Sequence, residues 1–197
     1  MCETRVIIEI GSQIVLTDRN RIDEFRMAHI IDQVLQLWEK RIGVVLILSA
    51  AVALGSEVID VADDQLTRQA AAGIGQVKLI SCMSKICVQK KIEIAQMLLT
   101  PEIFGNKDRQ DNLNKVFTFY FQNRILPVVN ENDVIHLNCF GGNDYVALHI
   151  ARLLNADHLM MLSGLQKTKF AIGGAKSKIE VQEKLKSIHI HSIIIDL

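Results

Sequence analysis

Short apolar runs rich in β-branched residues alternate with longer segments of helical periodicity, and this alternation constrains the fold more than any other feature of the chain. Such alternation is typical of a parallel sheet covered by helices. It predicts an α/β fold, a three-layer α/β/α sandwich with a mostly parallel central sheet. The predicted strands are 5–10, 44–48, 92–98, 125–129, 158–162 and 189–195, with a small extra strand at 134–137. The predicted helices are 21–42, 65–90, 108–123, 144–155 and 176–187.

The composition limits the class of protein. Of the 197 residues 49% are hydrophobic, and 22 Lys and Arg balance 22 Asp and Glu. A neutral, apolar chain can bury enough surface to fold, and it has no excess of cations with which to bind nucleic acid or an acidic membrane. The four cysteines show no paired motif, the N-terminus has no signal-peptide pattern, and the apolar stretch 44–54 is too short to span a membrane. We therefore expect one cytoplasmic domain over 1–197, with no nucleic-acid or membrane partner.

Small and polar residues follow the predicted strands. In open α/β sheets ligands bind beyond the carboxyl ends of the strands, so these residues are the candidates for a site. Together they predict a pocket for a small anionic ligand. They are Gly11-Ser12, Ser49-Ala50-Ala51, Asn130-Glu131-Asn132-Asp133, Gly141-Gly142-Asn143-Asp144, Ser163-Gly164 and Gly173-Gly174.

Each of these motifs also has a simpler structural explanation. Gly11-Ser12 could cradle a phosphate with backbone N–H groups or form an ordinary strand-to-helix turn. The acidic and amide side chains at 130–133 could bind a ligand or form Asx turns, and Asp144 could be a helix cap. Lys176 and Lys178 could bring positive charge to the site or belong to a solvated first helical turn.

Two other motifs are rejected. Gly73-Ile74-Gly75 lies inside a helical, alanine-rich pattern without a preceding strand, which argues against a dinucleotide fingerprint. His189 and His191 alternate on the last predicted strand, but no third ligand of suitable spacing accompanies them. No metal site is therefore predicted.

Taken in order, the segments VIIEIGS, LILSAAVALG, RQAAAGIGQVKL, AQMLLT, ILPVVNENDV, FGGNDYVAL and IGGAKSK resemble the kinase domain of the glutamate 5-kinase family. The resemblance covers nearly the whole chain, and it implies an amino-acid kinase-like fold. It also implies that the γ-carboxylate of L-glutamate attacks the γ-phosphorus of ATP, with Mg²⁺ bridging the phosphates, in the first step of proline biosynthesis. The family forms dimers and tetramers, which implies a homo-oligomer.

The resemblance also implies roles for individual residues. Ser49, Asp133 and Asn143 match glutamate-binding positions, with Asp133 meeting the substrate ammonium and the neutral donors its carboxylates. Asp144 matches the residue that orients the catalytic lysines, and Lys178 matches a lysine that contacts the phosphoryl group. The backbone cradle for the ATP phosphates is matched by Gly11, Ser12, Gly173 and Gly174.

The chain departs from the family pattern in several places. Glu9 stands where the family has a phosphate-binding lysine, and a unit charge about 4 Å away is worth about 4 kcal/mol at an effective dielectric near 20. Gly142 replaces one carboxylate near the substrate. Only eight residues, 165–172, separate Gly164 from Gly173, so a large part of the nucleotide lobe is expected to be missing. Since the sequence stops at Leu197, we expect no counterpart of the family's RNA-binding-type C-terminal domain.

Two classes of function therefore remain open. The first is an ATP-dependent glutamate kinase, with turnover impaired by Glu9 and with Lys176 or another cation in place of the lost lysine. The second is a degenerate kinase fold that binds an amino acid or a partner subunit without turnover. A weaker third possibility is a different acceptor, such as another amino acid or carbamate.

Overall fold

The computed structural model describes residues 4–62, 64–164 and 175–196. Within these ranges six strands form one sheet in the order β3-β4-β2-β1-β5-β6, and every pairing is parallel. The predicted α/β class and central parallel sheet are confirmed. The strands are β1 Arg5–Ile10, β2 Gly43–Leu48, β3 Glu93–Leu99, β4 Ile125–Glu131, β5 His158–Ser163 and β6 His191–Asp196.

The five long predicted helices all form, and three short helical segments appear that the sequence pattern did not predict. Helix α2 begins at Glu24 rather than near Arg21, because the Asp23 side chain accepts the Arg26 N–H at 2.9 Å and caps it. The helices are α1 Ser12–Val15, α2 Glu24–Glu39, α3 Ala51–Gly55, α4 Gln65–Gln89, α5 Lys107–Gln122, α6 Asn143–Leu154 and α7 Ala175–Lys186, with a 3-10 turn at Pro101–Ile103.

The extra strand predicted at 134–137 is wrong. These residues form turns, and the Asn132 carbonyl accepts the N–H groups of Ile135 and His136 at 3.1 and 3.2 Å. A local turn satisfies the backbone that a strand would have left unpaired at the edge of the sheet.

Two buried clusters cover the two faces of the sheet, as a three-layer sandwich requires. Alternate residues of β1 face opposite sides: Ile8 packs with the α2 and α4 side, whereas Ile7 packs with the α5, α6 and α7 side. Glu9 follows Ile8 and therefore shares the face of Ile7, toward α6 and α7. It is only 2% exposed.

Helices α3 and α4 approach each other unusually closely. A Cβ on Gly75 would lie 1.7 Å from the Ala51 carbonyl oxygen, and one on Gly55 would lie 1.9 Å from the Ala71 carbonyl oxygen. Gly75 therefore serves the contact between two helices, which agrees with the rejection of a dinucleotide motif here. This contact fixes α4 over the carboxyl end of β2.

By length and composition alone, helix α4 is long and apolar enough to span a membrane. Of its most apolar 18-residue stretch, 44% is buried inside the protein. A core helix passes the same test. In this fold α4 lies on the sheet, where Leu79, Met83 and Ile86 belong to the buried cluster on the α2 and α4 side.

Ala50, between β2 and α3, has a φ of 99°. An L-residue in this region is strained by about 1 to 2 kcal/mol, whereas glycine adopts it at little cost. We expect Ala50→Gly to raise the free energy of unfolding by about 1 kcal/mol in urea denaturation. Ala51→Gly, the same change at the buried start of α3, should lower it. A loss of stability in Ala50→Gly would contradict the strain.

Candidate functional site

The parallel sheet brings several candidate residues to one edge. Ser49 follows β2, Asp133 follows β4, and Asn143 and Asp144 open α6. Lys178, in the first turn of α7, reaches this edge because its ammonium contacts Asp144. The strand ends therefore gather these side chains as open α/β sheets do at their ligand crevices.

The first group in this site is a buried ionic triad. The Lys178 ammonium donates to Glu9 Oε2 at 2.7 Å and to Asp144 Oδ1 at 2.6 Å. The three side chains are at most 7% exposed. Ser177 Oγ also donates to Asp144 Oδ2, at 2.5 Å. Lys178 is thus not part of a solvated first turn, and the carboxylate of Asp144 is engaged by Lys178 and Ser177 rather than by capping α6.

The triad holds two carboxylates and one ammonium, so its net charge is negative when all three ionise. Burial raises the pKa of Glu9 to about 7, against the opposing attraction of Lys178. Burial by itself lowers the pKa of Lys178, but the two carboxylates outweigh it and the pKa is raised. Lys178 therefore stays charged, and Glu9 takes up a proton near neutrality.

The second group is a chain of amides. Asn143 Nδ2 lies 3.0 Å from Ser49 Oγ, 3.2 Å from the Leu48 carbonyl and 2.9 Å from Asn130 Oδ1. Asn130 Nδ2 in turn donates to Gln76 Oε1 on α4 at 2.9 Å. The sequence analysis named Asn130 among the polar residues that follow β4 but gave no role to Gln76. Gln76 lies in the segment RQAAAGIGQVKL, which contributes to the resemblance.

Glu131, the last residue of β4, holds the loop that leads into α6. Its carboxylate accepts the Phe140 N–H at 3.1 Å and lies 3.8 Å from Cys139 Sγ. Burial raises the pKa of Glu131 to about 7. The loop then passes through Gly141 and Gly142, with φ of 90° and 113°, a region that glycine tolerates. The sequence analysis named Glu131 among the polar residues that follow β4 but assigned it no individual role.

Asp133 is placed at the same edge, but its carboxylate makes a local contact. Asp133 Oδ1 accepts the Asn138 N–H at 2.9 Å, the turn-forming role that the sequence left open. Burial raises the pKa of Asp133, while Asn138 and the charge of Arg68 oppose the shift.

The predicted phosphate cradle is only partly described. The Gly11 N–H donates to the Leu162 carbonyl at 3.0 Å, and Ser12 opens α1. Gly173 and Gly174 lie outside the described residues. Lys176, offered as a substitute for the lost lysine, is 92% exposed and lies 4.0 Å from Glu180.

A divalent cation finds no ready set of protein ligands in the described ranges. They contain no group of three or more His, Cys, Asp or Glu side chains suited to a metal ion, and the Glu9 and Asp144 carboxylates already share the Lys178 ammonium. Mg²⁺ is commonly held by one or two carboxylates plus substrate phosphates. The donors present therefore fit Mg²⁺ arriving with a nucleotide better than a resident ion.

Residues 4–166 match the amino acid kinase family. The chain belongs to this family, as the parallel sheet and the strand-end site indicate. A structure of similar fold is the UMP kinase from Ureaplasma parvum, with a TM-score of 0.58 at 10% identity, covering 98% of this chain and 90% of that one.

Curated relatives named glutamate 5-kinase are similar over most of the chain. The protein from Trichlorobacter lovleyi is 32% identical over 82% of this chain and 44% of its own length. The protein from Pelagibacter ubique is 31% identical over 80% of this chain and 44% of its own length. The protein from Clostridium acetobutylicum is 30% identical over 82% of this chain and 62% of its own length. The chain thus spans about half the length of the curated relatives it matches, and the similarity to glutamate 5-kinases agrees with the resemblance in the sequence.

The two raised glutamate pKa values predict how stability depends on pH. The folded state binds protons to Glu9 and Glu131 up to about pH 7, whereas the unfolded chain loses them near the ordinary glutamate pKa of 4.5. Stability from these groups is therefore complete below pH 4.5 and is lost as pH rises through 7.

We expect the free energy of unfolding to fall by about 2 kcal/mol per group between pH 5 and pH 7. Urea denaturation across this range measures the slope. Glu131→Gln should flatten it by about half, whereas the same change at exposed Glu93 should leave it unaltered. A stability that rises across this interval would contradict the protonated state of both groups.

Proposed function

We propose that this protein is an ATP-dependent kinase that phosphorylates the γ-carboxylate of L-glutamate to glutamyl 5-phosphate. One observation carries the proposal. Two consecutive residues of α6 face the two halves of the site: Asn143 bonds Ser49 at 3.0 Å, and Asp144 bonds Lys178 at 2.6 Å. The amino-acid subsite that we propose is therefore adjacent to a buried cation.

In this proposal the chain acts by positioning two anions and compensating their charge. Phosphoryl transfer needs little covalent help from protein groups and depends on orientation and on cations near the transferring oxygens. Ser49, Asn143 and Asp133 bind the amino acid, and Asp144 orients Lys178 toward the phosphoryl group. The Gly11 N–H is taken by the Leu162 carbonyl, so Gly11 would serve by letting the phosphates of ATP·Mg²⁺ approach the end of β1 closely. Ser12, with Gly173 and Gly174 outside the described residues, would complete the phosphate site.

The reaction is tested by trapping the acyl phosphate. With ATP, Mg²⁺ and glutamate present, hydroxylamine displaces phosphate from glutamyl phosphate and forms a hydroxamate, which gives a coloured complex with added ferric iron. We expect a signal above a blank without ATP, and Asp144→Asn should abolish it while glutamate still binds. If ADP is released with a different acceptor, such as aspartate or carbamate, that acceptor takes the place of glutamate in the proposal. The absence of product with every acceptor would reject a kinase.

The buried triad favours a second candidate, an amino-acid-binding protein without turnover. Glu9 places a carboxylate on the ammonium that a phosphoryl group would need, and both groups are nearly inaccessible. Calorimetry with glutamate and, separately, with ATP·Mg²⁺ distinguishes the candidates. Glutamate binding without any ATP binding would support the second, and binding of both ligands would support the first.

We also propose that the protein is a cytoplasmic homo-oligomer, a dimer or tetramer. Leu66, Val77 and Val88 recur every eleven residues on α4, so they share one face, and they are 75%, 64% and 60% exposed. An apolar helical face of this kind is typical of a subunit contact. Light scattering should give a mass above one chain, and Val77→Lys should lower it.

A further inference from the structure

We propose that Gln76 is a positioning residue that keeps the Asn143 side-chain oxygen available to the ammonium group of the amino-acid acceptor. The inference rests on the proposed function and adds to it a residue on α4, 67 positions away from Asn143 in the sequence. It also assigns the polarity of the contact, with the protein accepting and the ligand donating. This replaces the donor role toward a carboxylate that the resemblance implies for Asn143, because both hydrogens of its Nδ2 are already used within the protein.

The orientation of each amide in the chain is set by a backbone group. Asn143 must turn its Nδ2 toward the Leu48 carbonyl, because a carbonyl can only accept. Asn130 must turn its Oδ1 toward the Glu131 N–H, 2.9 Å away, because an N–H can only donate. Neither amide can be flipped without placing two donors or two acceptors against each other.

Once these orientations are fixed, Asn130 Nδ2 needs an acceptor, and Gln76 Oε1 provides it at 2.9 Å. Gln76 is 9% exposed and Asn130 is 4% exposed. A buried amide hydrogen without a partner costs about 1 to 3 kcal/mol, enough to turn Asn130 away from its present rotamer. Gln76 therefore holds Asn130 in the position from which its Oδ1 receives Asn143.

Asn143 Oδ1 is the last group in this series of hydrogen-bonded amides. It is buried and has no hydrogen-bond partner among the residues that the structure describes, although Asn143 Nδ2 has three acceptors. An unsatisfied acceptor is expected to bind a donor. Among the groups of an amino acid at neutral pH, only the ammonium donates. Asn143 is thus expected to select a ligand that carries an ammonium over one that lacks it.

The test compares glutamate with glutarate, which has both carboxylates but no ammonium. In calorimetry Gln76→Met should weaken glutamate at least tenfold and change glutarate less than twofold. Gln76→Glu retains an acceptor for Asn130 and should stay within threefold of wild type for glutamate. Gln89→Met, the same change at the exposed end of α4, is the matched control. An equal loss for both ligands, or no loss, would overturn the proposal.

Two further measurements keep the outcome decisive. Gln76→Leu removes the same acceptor with an apolar side chain and should reproduce the difference between glutamate and glutarate if Gln76→Met does not fold. Without ligand, hydrogen exchange of the Asn143 side-chain amide should be at least tenfold faster in whichever variant folds. An unchanged exchange rate refutes the positioning role. If the wild-type protein binds no glutamate, the proposed function is refuted. The exchange rate, which is measured without ligand, then tests the positioning role of Gln76 by itself.

Discussion

Lys178→Met is expected to lower the free energy of unfolding by about 3 to 5 kcal/mol, because it leaves Glu9 and Asp144 buried without their shared cation. Urea denaturation at pH 8, where Glu9 is ionised in wild type, measures the loss. The same variant should form no acyl phosphate above background, since the buried cation near the proposed phosphoryl position is removed.

Lys176→Met is the matched control for this prediction. Lys176 lies two residues earlier on α7 and is 92% exposed, so its removal should change stability by less than about 0.5 kcal/mol. Adding Glu9→Gln to Lys178→Met should recover part of the lost stability, because one uncompensated carboxylate disappears. Equal effects at the two lysines would show that the triad does not stabilise the fold.

Glu9→Lys is expected to tighten the binding of ATP·Mg²⁺ at least 100-fold. The change removes a carboxylate and adds an ammonium beside Lys178, and each charge at about 4 Å is worth up to about 4 kcal/mol at an effective dielectric near 20. Asp144 supplies the negative charge that the two ammonium groups would share. Calorimetry with ATP·Mg²⁺ measures the dissociation constant.

Glu9→Gln separates the two contributions to this effect. It removes the negative charge without adding a positive one, so we expect about a tenfold gain in affinity for ATP·Mg²⁺. If neither variant changes the dissociation constant, the phosphates do not approach the end of β1. Lys178 would then be a structural cation, and the candidate without turnover would be preferred.

The sequence predicted the fold class and the long elements because their periodicity is local. Strand β1 was predicted at its observed bounds, and the other strands and long helices within a few residues. The short helices α1 and α3 were missed, since four or five residues carry too little periodicity to be recognised. The strand at 134–137 was wrong for a related reason: a short apolar run does not distinguish a strand from a turn.

The candidate site was predicted residue by residue but not contact by contact. The polar strand ends identified Ser49, Asn143 and Asp144, and the resemblance identified Lys178 and the unusual Glu9. Their partners were not visible in the sequence. Gln76 was missed because a single amide on a helix gives no sign of whether it faces solvent or a buried asparagine.

The sequence by itself determined which side chains are available at the ends of the strands, because hydrophobic periodicity sets where each strand stops. Only the tertiary structure decided how they pair. Glu9 and Lys178 are 169 residues apart, and Gln76 and Asn130 are 54 apart, yet both pairs are in hydrogen-bond contact. Such contacts depend on the order of the strands and on the packing of α4, α6 and α7, and these arise from the burial of the whole core rather than from any local pattern.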